Sequence, residues 1–191
     1  MWVLAAKLEI RRRNVPGARR LLGNALGVLP HKDSLYREYI ALELSLAEID
    51  RARILYKQWL VRNPAATAAY IEFADMEAGL GEMERARAIF EVGVAASELD
   101  APEALWKAYI DCEIACGETE YVVQLYERLI EKASHVRLWL SYAKFMQTCG
   151  ESDARNVYEK AARALKDRMV EQGSDSELAR ADRVQLLDAW C

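Results

Sequence analysis

Apolar and polar residues alternate along this chain with the period of amphipathic helices, and the helices come in two kinds. In the first kind an aromatic residue is followed at +3 by another core residue and at +7 by Glu: Tyr36, Tyr39, Glu43; Tyr70, Phe73, Glu77; Trp106, Tyr109, Glu113. At about 100° per residue these positions share a sector about 60° wide, so they face one neighbour. In the second kind, Ala86, Ile89, Phe90 and Gly93 form an apolar stripe with Arg85 and Arg87 on its flanks. Alanine suits a close approach of two helices, and the aromatic one turn later fills the gap beyond it.

The two patterns recur on a common grid. Ala18, Ala52, Ala86, Val122 and Ala154 are separated by 34, 34, 36 and 32 residues, and four positions after each stand Leu22, Tyr56, Phe90, Tyr126 and Tyr158. Trp2, Tyr36, Tyr70, Trp106 and Trp139 follow steps of 34, 34, 36 and 33, with Tyr142 at +3 from the last. Two independent marks with one period imply five repeats, near 1–32, 33–66, 67–101, 102–134 and 135–172, with 173–191 beginning a further helix. These aromatics and alanines are the expected repeat-packing residues.

Punctuation agrees. Leu29-Pro30, Asn63-Pro64 and Ala101-Pro102 fall between repeats, Pro16 suits the first position of a helix, and the segments "GLGEM" at 79–83 and "CGE" at 116–118 and 149–151 suit tight turns. Helices are predicted near 1–13, 16–28, 33–46, 49–62, 67–80, 83–98, 102–116, 118–133, 135–149, 151–171 and 177–191. The fold class is all-α: a superhelical solenoid of antiparallel helix pairs.

Charge changes this picture only locally. Residues 1–33 are net +5 and the remainder net −9, so a basic end precedes an acidic body. Arg11, Arg12, Arg13 and Arg20 are candidates for contact with RNA or an acidic partner, against the plainer reading of a solvated helix end. No window reaches the roughly 18 apolar residues of a membrane span. Cys112, Cys116, Cys149 and Cys191 lack the paired spacing of a disulfide framework, which favours a reducing compartment.

The sequence offers no catalytic, metal or cofactor constellation. His31 and His135 precede first helices, and no Gly-x-Ser-x-Gly, P-loop or Gly-x-Gly-x-x-Gly motif occurs. Cys112 and Cys116 share a helix face, yet zinc needs two further ligands. The tryptophan and tyrosine ladder could stack nucleic-acid bases. Its coincidence with the helix-packing grid favours core instead.

A two-helix period near 34 is the tetratricopeptide size, but Glu stands at +7 where that repeat places Tyr. Aromatic, aromatic, Glu followed by "RARAIFE" resembles the half-a-tetratricopeptide, or HAT, repeat. The segments "LYREYIALELSLAEIDRARILYKQWL", "LWKAYIDCEIACGETE", "LYERLIEKASHVRLWLSYAKF" and "RVQLLDAW" resemble, almost end to end, the C-terminal half of crooked neck-like pre-mRNA splicing factors. That resemblance implies a nuclear, non-enzymatic scaffold of the spliceosome, working with proteins of the Prp-nineteen-related complex and in reach of small nuclear RNA or pre-mRNA. The alternatives are a HAT subunit of mRNA 3′-end processing and a tetratricopeptide-like peptide adaptor. The chain is expected to be a fragment of a longer protein, with apolar ends that a neighbouring repeat or self-association would cover.

The irregular repeats suggest how neighbours join. The fourth lacks the basic signature, with Tyr121, Val122 and Val123 in its place, and the fifth has Met146 where Glu should stand. If the second Arg of one repeat meets the Glu of the next, the pairs are Arg19 with Glu43, Arg53 with Glu77 and Arg87 with Glu113, and Val123 falls opposite Met146. Pairing within a repeat would leave Glu113 and Arg155 unmatched. The plain alternative is drift at two positions.

Overall fold

The computed structural model describes residues 1–132, 135–171 and 184. Its helices are α1 (Trp2–Arg11), α2 (Val15–Val28), α3 (Asp33–Ser45), α4 (Ile49–Arg62), α5 (Thr67–Gly79), α6 (Met83–Ala95), α7 (Pro102–Cys116), α8 (Thr119–Lys132), α9 (Val136–Cys149) and α10 (Glu151–Glu171). No strand occurs among the described residues. The further helix expected near 177–191 lies outside them, apart from Val184.

The chain divides into two compact bodies, Met1–Tyr109 and Ile110–Cys191. In the first, α1 packs on α2, α3 on α4 and α5 on α6, while α2 touches α3 and α4 touches α5. One apolar cluster gathers Ala6, Ala18, Leu22, Ala25, Leu35 and Leu42; the next is built around Tyr36, Ala52, Tyr56, Trp59 and Phe73. In the second body α9 packs against α8 and α10. Val122, Leu125, Trp139, Tyr142, Ala154 and Tyr158 are buried there.

The first four reversals inside helix pairs use the same backbone device, whereas Gly150 between α9 and α10 is extended. Arg13 (φ 58°), Ala47 (φ 58°), Gly81 (φ 82°) and Gly117 (φ 77°) occupy the left-handed region. They sit 34, 34 and 36 residues apart, the step of the aromatic grid. Just before each, the carbonyl of Glu9, Glu43, Glu77 or Glu113 accepts the N–H of Asn14, Glu48, Glu82 or Glu118 at 2.9, 2.9, 2.9 and 3.3 Å. Such bonds satisfy carbonyls that the end of a helix leaves open. Two of the four turns therefore place a side chain where glycine costs least.

Two helix ends differ from expectation. Pro16 is the second residue of α2 because Asn14 is the N-cap, its side chain accepting from the Gly17 N–H at 3.1 Å. α6 stops at Ala95 rather than near 98, since Ala96 is extended. The released loop reaches back to the start of α5: Asp100 N–H donates to the Ala65 carbonyl at 2.9 Å, and the Asp100 carboxylate accepts from Thr67 N–H at 3.0 Å. This loop takes up the longer step before Trp106.

Candidate interaction surface

The aromatic grid places rings face to face. Tyr56 stacks on Phe73 at 4.9 Å between centroids, Phe90 on Tyr109 at 4.7 Å and Tyr126 on Tyr142 at 4.9 Å. In every case a second-helix ring meets the first-helix ring of the following repeat. Tyr36 adds a stack on Trp59 at 5.7 Å, and Trp59 is fully buried, with its indole N–H donating to Asp33 Oδ1 at 2.8 Å. Burial pushes the Tyr56 phenol well above its ordinary range. Buried and stacked on one another, these rings close a core and leave no platform for bases.

Ala18, Ala52, Ala86 and Ala154 are buried to within 3% exposure, as are Tyr36, Phe90, Tyr142 and Tyr158; Tyr70 and Trp106 are buried as well, and Tyr39 is half-buried. Trp2 departs from the expected packing role. It remains 38% exposed at the first turn of α1, a helix that buries Ala6 and, among the described residues, touches α2 and α3.

The seams in the first body carry forked ion pairs. Arg19 on α2 gives Nε to Glu43 Oε1 at 2.9 Å and Nη2 to Oε2 at 2.7 Å. Arg53 on α4 repeats the fork on Glu77, with 2.7 and 2.8 Å. Both carboxylates are about 1% exposed, so a bidentate guanidinium replaces the water they lose. The hydrogen bond to Glu43 raises the Arg19 pKa, with burial opposing it, and the same bond from Glu77 raises that of Arg53. Arg87, in the first body, pairs with Glu84 at 3.0 Å; Glu113, in the second, is fully buried. Val123 and Met146 are both half-buried in the second body.

Further contacts were invisible in the sequence pattern. Asn63 Nδ2 donates to Asp33 Oδ1 at 2.6 Å and to the His31 carbonyl at 3.1 Å, so the loop leaving one repeat clasps the start of its first helix. Asp100 does the same for Thr67, whose Oγ1 accepts the Ala101 N–H at 3.1 Å. On the first helices Lys7 pairs with Glu38 at 3.2 Å and Arg37 with Glu72 at 2.6 Å. Asn-Pro and Ala-Pro marked these loops as turns, but nothing in them named the residue each would grip.

The second helices also border open clefts. One of about 420 Å³ lies among Arg53, Lys57, Phe73, Glu77, Arg85 and Ile89. Another of about 360 Å³ lies among Leu26, Tyr39, Glu43, Arg51, Ile54 and Gln58. Near the other end of the first body, Arg11, Arg13 and Arg20 are exposed and make no ion pair among the described residues, while Arg12 meets Glu9 at 3.4 Å.

These repeats have relatives. Residues 86–174 match the family model described as the PRP39 C-terminal HAT repeat. Over its whole length the chain is 40% identical to human crooked neck-like protein 1, of which it covers 22%. The chain is a homologue of the crooked neck-like splicing factors. Equally end to end, it is 43% identical to pre-mRNA-splicing factor clf-1 of Neurospora crassa and 37% identical to pre-mRNA-splicing factor cwf4 of Schizosaccharomyces pombe, covering 29% of each. It thus spans less than a third of these relatives. Its stacked rings, forked seams and left-handed turns belong to an all-α HAT-repeat array.

Proposed function

We propose that this chain is a segment of a non-enzymatic spliceosomal scaffold, acting in the nucleus to hold several splicing proteins together during pre-mRNA splicing. The observation that carries this reading is end-to-end similarity, at 43% and 37% identity, to two proteins named as pre-mRNA-splicing factors. The geometry is compatible with it. The forked carboxylates Glu43 and Glu77 are spent on seams between repeats, and the open surfaces are clefts bordered by second helices. Partners from the Prp-nineteen-related complex are part of the same proposal.

The test is affinity capture of the chain from nuclear extract after chemical crosslinking. Splicing proteins and small nuclear RNAs among the crosslinked species support the scaffold; polyadenylation factors in their place would move the chain to 3′-end processing. A direct RNA contact is the second reading, favoured by exposed Arg11, Arg13 and Arg20. It requires salt-dependent RNA binding that disappears when Arg11, Arg12 and Arg13 become Glu.

A further inference from the structure

Helices of the first body divide by charge. α4 carries Arg51, Arg53, Lys57 and Arg62 against Asp50, and α2 carries Arg19 and Arg20 with no acid. α5 carries Glu72, Asp75 and Glu77 with no base, and α3 has three acids against Arg37. The first helices α3 and α5 are thus acidic and the second helices α2 and α4 are basic, while α1, with Lys7 and Arg11 against Glu9, is basic too and α6 balances two acids against two bases. The two clefts open along the basic helices.

The clefts are equivalent sites one repeat apart. Tyr39, Glu43, Arg51, Ile54 and Leu55 of one correspond, 34 residues on, to Phe73, Glu77, Arg85, Ala88 and Ile89 of the other. The informative difference is at the wall, where Gly23 of the first is replaced by Lys57 of the second. In the second cleft Glu77 is already held by Arg53 in a fork of 2.7 and 2.8 Å. Arg85 only grazes Glu77 at 4.0 Å and Glu82 at 3.8 Å, and its side chain stays 54% exposed. Lys57 is exposed and has no ion pair among the described residues. Two cations therefore stand above a neutralised pair, beside the apolar surface of Ala88 and Ile89.

We infer that the cleft between α4 and α6 docks an acidic, aliphatic peptide segment of a partner protein, its carboxylate taken by Lys57 and Arg85 and its neighbouring aliphatic side chain laid against Ala88 and Ile89. The volume of about 420 Å³ falls within the usual range for binding pockets. Phe73 on the floor is buried and stacked on Tyr56 at 4.9 Å, so no ring face is presented to a nucleobase. Charge complementarity and aliphatic walls favour a peptide over RNA. This inference names one contact of the scaffold proposed above and rests on that reading.

The experiment measures fluorescence anisotropy of a labelled Leu-Glu repeat peptide with the full chain, and of the same peptide bearing Gln in place of Glu. The expected result is saturable, salt-sensitive binding of the Glu peptide, at least 10-fold weaker for the Gln peptide and for K57E/R85E, and unchanged for the surface control K107E/K144E, whose two lysines are exposed and do not line the cleft. Thermal unfolding checks that each variant is folded, and K57Q/R85Q serves if the reversal does not fold. Absent binding, indifference to K57E/R85E, or tighter Lys57- and Arg85-dependent binding of a poly(U) RNA would overturn the inference. Capture of splicing proteins by K57E/R85E at wild-type levels would remove the cleft and leave the scaffold standing. Loss of splicing proteins from the wild-type capture would remove the scaffold whatever the peptide shows.

Discussion

Arg19 and Glu43 stand 24 residues apart and meet in a two-bond fork at 2.9 and 2.7 Å, and Arg53 meets Glu77 across the same separation. Each fork ties the second helix of one repeat to the first helix of the next. Because the carboxylate is buried and the guanidinium only partly so, the expected role of the pair is to fix register rather than to add stability.

Removing one side of the fork should therefore cost more than removing both. Arg19→Met strands a buried carboxylate and is expected to lose about 3 kcal/mol. Arg19→Met with Glu43→Met, which makes the seam apolar, should recover most of that loss. Chemical denaturation of both variants decides it; a double variant as unstable as the single changes summed would contradict the seam role.

The left-handed turns give a prediction of opposite sign. Ala47 holds φ 58° where the equivalent position is Gly81 at φ 82°. Ala47→Gly relieves the strain of a side chain in that region and should stabilise by about 0.5–1 kcal/mol after the added freedom of the unfolded chain is deducted. Gly81→Ala should destabilise by a similar amount. Thermal midpoints moving the other way would count against it.

Gly93 is needed for space rather than for backbone freedom. A Cβ there would lie 2.7 Å from Leu105 Cδ2 and 3.1 Å from Tyr70 Cδ1. Gly93→Ala should cost about 1–3 kcal/mol through overpacking. Leu105→Val in the same chain should return part of it, measured by the denaturation midpoint.

Asp100 makes stability depend on acid. Its pKa is lowered from 3.8 chiefly by the hydrogen bond with the Thr67 side chain, with burial opposing. A depressed carboxyl pKa contributes stability that is present above the unfolded value and is lost as pH falls through the folded one. Unfolding followed from about pH 5 down to about pH 2 should show a shallower decline for Asp100→Asn than for the wild type. Equal slopes would remove Asp100 from the clasp.

Some of this architecture could be read directly from residues. Tyr36, Tyr70 and Trp106 at +0 with Glu43, Glu77 and Glu113 at +7 predict helices whose bounds match α3, α5 and α7 closely, since a repeat packs mainly on its immediate neighbours. Other features carried no mark. Arg13 and Ala47 hide two left-handed turns behind residues with side chains, and Trp2 keeps the grid without the burial. Asp100 gives no sign in sequence that it will close on Thr67.

The sequence by itself determined the described helices and their pairing, because each depends on spacing along one helix and on a period shared by its neighbours. Only the tertiary structure decided that Lys57 and Arg85 border one open cleft, that Asn63 clasps Asp33 and that Trp59 is wholly enclosed. Those outcomes follow from the angle and distance at which whole helices cross, and these arise from the sum of many contacts rather than from any local pattern.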